Sequence, residues 1–86
     1  MKWIIINSCS CKNTGTVFSL IVTERNNRLI LWSDNNVQIK RGDILKYGLS
    51  SIYLNNDRVS LHILKIMPYN TQLWQTILRS TGTTLP

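Results

Sequence analysis

The chain is poor in the groups that do chemistry. Four Asp and Glu and one histidine, His62, are scattered over 86 residues. No carboxylate pair and no histidine beside a nucleophile stand close in sequence, so the residues give no reason to expect an enzyme. Cysteine occurs only at Cys9 and Cys11. Two residues apart on a strand, the two thiols point to the same face, where a disulfide is strained. With no third cysteine to pair with, a secreted disulfide framework is excluded and a reducing compartment is expected. Cys9, Cys11 and His62 are one ligand short of structural zinc and lack the C-x2-C turn, so neither metal nor cofactor is expected. Asn13-Thr14-Gly15-Thr16 lacks the Gly-Lys-Ser/Thr ending of a phosphate loop. The apolar run Trp3-Ile4-Ile5-Ile6 ends at Asn7-Ser8, too short for a signal-peptide core or a membrane span.

What is present is a hydrophobic fraction of 43% and ten Lys and Arg, which leave a net charge of +6 and a pI near 9.8. The first points to a folded core in one domain, the second to a polyanionic partner. The basic residues are spread out, with no basic tail. A chain of this size buries only about 60 to 65% of its unfolded surface, so docking on a partner subunit, and hence a hetero-oligomer, is expected.

Alternation of apolar residues, broken by Asn, Asp and Gly clusters, predicts five strands. They run from Lys2 to Cys11, Thr16 to Thr23, Arg28 to Trp32, Ile44 to Leu54 and Arg58 to Met67. Glu24 to Asn27 and Asn55-Asn56-Asp57 supply hairpin turns, Gly42 a tight turn, and Pro68 the last stop. From Tyr69 the period changes. Leu73, Trp74, Ile77 and Leu78 share one side of a helix capped by Asn70 or Thr71, with Arg79 in its last turn and Gly82 as its stop. The expected layout is a barrel over residues 1–67, a helix segment over 68–82 and a tail over 83–86. An SH3-like barrel is the structural alternative.

Four motifs recur in a family order: Val17-Phe18-Ser19-Leu20-Ile21-Val22; Arg28-Leu29-Ile30-Leu31-Trp32; Ile39-Lys40-Arg41-Gly42-Asp43-Ile44-Leu45; and the hairpin arms Ser51-Ile52-Tyr53 and Val59-Ser60-Leu61. On these, Thr16 to Ile63 resembles the OB domains of replication protein A and of the human-type single-strand DNA-binding proteins. The resemblance implies a mainly β, five-stranded OB-fold barrel with a C-terminal α-helix. It also implies that Trp32 and Tyr53 stack on bases of single-stranded nucleic acid, DNA favoured. Arg28, Lys46 and Arg58, with Arg25 and Lys40 on loops, are the candidate phosphate contacts.

The expected function is therefore a nucleic-acid-binding subunit of a DNA-protecting complex such as a telomere cap, intracellular and nuclear in a eukaryote, with no membrane partner. If Val22, Leu29 and Leu31 face inward, Ile21 and Ile30 face out, which suggests protein contact. The alternative function is thus a structural subunit that binds another OB-fold or helical protein through Leu73, Trp74, Ile77 and Leu78. Unrelated small barrels, including a phage or bacterial protein that blocks a host factor, complete the field. His62 is expected to be solvated.

Overall fold

A computed structural model describes residues 1–48 and 51–81. Seven strands precede one helix: β1 Lys2–Cys11, β2 Thr16–Thr23, β3 Arg28–Asp34, β4 Ile44–Tyr47, β5 Ile52–Leu54, β6 Asp57–Val59, β7 Ile63–Pro68 and α1 Thr71–Ser80. The turns lie where Gly and Asn relieve the cost of a positive φ. Gly15 closes the β1–β2 turn at φ 68°, Asn26 the β2–β3 turn at 67°, and Asn55 and Asn56 the β5–β6 turn at 52° and 74°. The last pair matches the mirror-image hairpin turn that suits the strand twist.

The five-stranded closed barrel is corrected to an open, antiparallel seven-stranded sheet in the order β6-β5-β4-β1-β2-β3-β7. The segment expected as one strand over Ile44 to Leu54 is a hairpin, β4 and β5. The segment Arg58 to Met67 splits around residues 60–62, where the chain leaves β5 and crosses to β3. Asp34 anchors the crossing. Its backbone N–H donates to the His62 carbonyl at 2.9 Å, and its carboxylate accepts from the His62 N–H at 3.2 Å.

Laid flat, seven strands would set β6 and β7 about 29 Å apart, whereas a connection of three residues spans at most about 14 Å. The sheet therefore curls until its edges approach, but among the described residues no ladder joins them. The curl encloses the main core. Trp3, Ile5, Ile21, Leu31 and Leu45 form its buried centre, Ile39 and Leu61 cap it, and half-buried residues of β5, β6 and β7 pack against it.

A second core lies on the outward face. There α1 sets Trp74, Ile77 and Leu78 on Cys9, Leu20 and Ile30. Each such side chain, once buried, contributes roughly 1.5–3 kcal/mol. Asn70 caps the helix, accepting the Leu73 N–H at 3.1 Å. Arg79 sits in the last turn and Thr81 is the C-cap. The expected stop at Gly82 and the tail 83–86 lie outside the described residues.

Two expectations about facing change here. Ile21 is fully buried in the main core, and Ile30 is fully buried beneath the helix, so neither is exposed for a partner. The helix stripe Trp74, Ile77 and Leu78, with Leu73 packed alongside, is covered by the chain's own sheet.

Candidate functional site

The outward face of the sheet has two unequal halves. Over β2, β3 and the second half of β1 it is closed by α1. Over the start of β1 and over β4, β5 and β6 no described residue covers it, and the strand register places four side chains in one row. Lys2 pairs with Lys46, Lys46 with Tyr53, and Tyr53 with Arg58. Directly opposed residues share a face, so three cations and one phenol ring form a line about 14 Å long across four strands. Trp3, Leu45 and Leu54, one residue along each strand, face the main core, which turns this row to solvent.

Tyr53 is 37% exposed, and Ile4, two residues along β1 from Lys2, is 43% exposed. Lys46 Nζ donates to Asn56 Oδ1 at 3.1 Å. Among the described residues no salt bridge engages Lys2, Lys46 or Arg58. Such a surface offers an aromatic ring set among cations, with an apolar flank at Ile4.

The structure brings Tyr53, Lys46 and Arg58 together but separates them from the other candidates. Trp32 lies on β3, four strand positions from β5, or about 19 Å across the sheet. Its ring is half-buried and stacks on Phe18 at 5.7 Å and 5° between planes, with Nε1 buried and unpartnered. A base cannot take the face that Phe18 occupies. Arg28 lies 5.9 Å over the Tyr69 ring, at the foot of the helix. Arg25 is in the β2–β3 turn, and Lys40 is in the loop before Gly42, where its backbone N–H donates to Asp43 at 2.9 Å.

Sequence reasoning missed Lys2 and Ile4. Their signal was available, because both alternate with the core residues Trp3 and Ile5. Cys9 is buried under the helix half and Cys11 lies beyond it. A hydrogen bond from the Thr14 side chain holds the Cys11 thiol below its usual pKa. No group of three His, Cys, Asp or Glu comes together among the described residues, and His62 is exposed.

Residues 1–75 match the model of the IraM/PmrD family. An anti-adapter protein IraM of Cronobacter sakazakii is 35% identical over 80 residues, which cover 93% of this chain and 72% of that protein. That of Citrobacter koseri is 30% identical over 74 residues, 86% of this chain and 65% of the relative. That of Escherichia coli strain SE11 is 31% identical over 80 residues, 93% and 73%. The chain thus spans 65 to 73% of the length of these relatives. The crystal structure of E. coli PmrD superposes with a TM-score of 0.80, covering 95% of this chain and all of that one at 18% identity. That likeness bears on the fold.

Proposed function

The chain belongs to the IraM/PmrD family, and on that premise we propose that it is an anti-adapter: a small bacterial regulator that binds an adapter protein and keeps it from its task. The observation that carries this reading is the 35% identity to an anti-adapter over nearly the whole chain. The sheet is consistent with it, since among the described residues half of its outward face is left open. The expectation of a non-enzyme stands, because the family consists of non-enzymatic regulators.

Family membership overturns the resemblance to replication protein A, and with it the single-stranded nucleic-acid partner and the telomeric setting. The resemblance failed because short apolar strands and a Gly-Asp turn recur in many curled sheets, whereas the strand order that defines an OB barrel is not written in them. A nuclear location falls as well, because the relatives are bacterial. The alternative, a subunit that contacts proteins, is closer to the family. Its proposed contact is less apt, since the helix stripe is buried within the chain.

The test is calorimetric titration of the purified chain against the adapter that the Cronobacter sakazakii relative antagonises. Saturable binding is expected. No heat with the adapter, alongside tight binding of a poly-pyrimidine oligonucleotide, would overturn the reading.

A further inference from the structure

We infer that the bare half of the outward face is the docking site for an acidic protein surface, with Tyr53 as its aromatic anchor, Ile4 as an apolar flank along β1, and Lys2, Lys46 and Arg58 as its carboxylate-binding cations. This deepens the anti-adapter reading and rests on it.

Three observations carry the inference. First, Lys2 and Lys46 stand directly opposite each other in the β1–β4 ladder. Like charges so placed weaken a sheet. No acid within the described residues forms a salt bridge with either lysine to offset this. Among the described residues Lys46 Nζ has only the neutral Asn56 as its partner and the Glu24 carboxylate takes the Lys2 backbone N–H at 3.0 Å, whereas an external carboxylate between the two ammonium groups would turn the repulsion into attraction.

Second, the residue types fit an interface and not an ordinary solvated strand face. Protein interfaces favour Tyr and Arg at well-packed centres, with apolar side chains close by. Here Tyr53 lies between Lys46 and Arg58 in register, while Ile4 extends the patch along β1.

Third, charge selects the occupant. The chain carries +6 with only four acidic residues, and the row itself holds none, so a basic partner would be repelled and an acidic one drawn in. A polynucleotide is also acidic. It would need successive stacking platforms along a groove, and Tyr53 is the one aromatic in this row: Tyr47 belongs to the other face and stacks on Trp3, and Trp32 is engaged with Phe18. Exposed Leu64 and Ile66 lie on the edge strand β7, which contributes nothing to this row, and serve as the control.

The experiment measures the affinity of the full chain for the adapter antagonised by the Cronobacter sakazakii relative, at two salt concentrations. Lys46→Glu and Arg58→Glu should each weaken binding by about tenfold or more at low salt, with a smaller loss at high salt. Tyr53→Ala should weaken it by about tenfold at both. Leu64→Ser should bind as the wild type does. Matching thermal melts exclude misfolding as the cause. A Glu→Lys or Asp→Lys change on the adapter that restores binding to Arg58→Glu would complete the proof by charge exchange.

If all patch variants bind normally while Leu64→Ser fails, the docking site is the β7 edge and the inference is wrong, though the anti-adapter reading survives. If the wild-type chain does not bind the adapter at all, that reading fails first and takes the inference with it. If the patch variants lose affinity for an oligonucleotide but not for the adapter, the occupant is nucleic acid and the assignment is overturned.

Discussion

The same face of one sheet is treated in opposite ways on its two halves. Over β2 and β3 the outward residues Leu20 and Ile30 are apolar and the helix covers them. Over β4, β5 and β6 the outward residues are Lys46, Tyr53 and Arg58, and no described residue covers them. The covered half contributes to stability through buried area; the bare half adds little and keeps its side chains available. Residues that hold the chain together and residues proposed to hold a partner are thus separable by substitution.

The largest effect should come from the covered half. Trp74→Ala removes a buried indole from the outer core and should destabilise the chain by about 3–5 kcal/mol. Urea unfolding followed by far-UV dichroism would measure it. A loss below about 1 kcal/mol would mean that the helix is not an integral layer. Asn70→Ala should cost about 1 kcal/mol by leaving the Leu73 N–H without its cap. The same unfolding assay reads it, and full adapter affinity should be retained.

Cysteine labelling follows the boundary between the halves. In the native chain a thiol-alkylating reagent should modify Cys11 and spare Cys9, which becomes reactive only when the helix half opens. Because the Thr14 hydrogen bond lowers the Cys11 pKa, its thiolate should form at lower pH than that of an ordinary thiol. Thr14→Val should therefore shift the rate profile to higher pH. Mass spectrometry of pulse-labelled protein gives both rates. Unchanged protection of Cys9 in Trp74→Ala would break the comparison.

The smallest effect has the opposite sign. Lys46→Gln relieves the repulsion from Lys2 while keeping a donor for Asn56, so it should raise stability by about 0.2–0.5 kcal/mol at low salt, and less at high salt. The same substitution should weaken adapter binding. A change that stabilises the fold and impairs docking would mark the row as kept for its partner.

Much of the local structure was legible. β1 and β2 begin and end where alternation and the Asn-Gly clusters place them, β3 runs two residues further than expected, and Asn70 caps the helix. The facing of β2 was not legible. In Leu20-Ile21-Val22 three apolar residues run together, because the middle of this strand is buried on both faces, Ile21 in the main core and Leu20 beneath the helix. Alternation has no phase in such a run. The split of residues 58–67 into β6 and β7 was hidden for another reason. It depends on Asp34, some 28 residues away, capturing His62.

By itself the sequence determined the β-rich character, the turns, the single C-terminal helix and the basic balance, since each depends on neighbours along the chain or on composition. Only the tertiary structure decided which strands lie side by side, which half of the outward face the helix covers, and that Lys2, Lys46, Tyr53 and Arg58 stand in one row. Those four residues come from four strands, and nothing local encodes the register between them. That register is set where burying Trp3 and Leu45 in the common core also completes the backbone ladders, a condition that exists only once the sheet has formed.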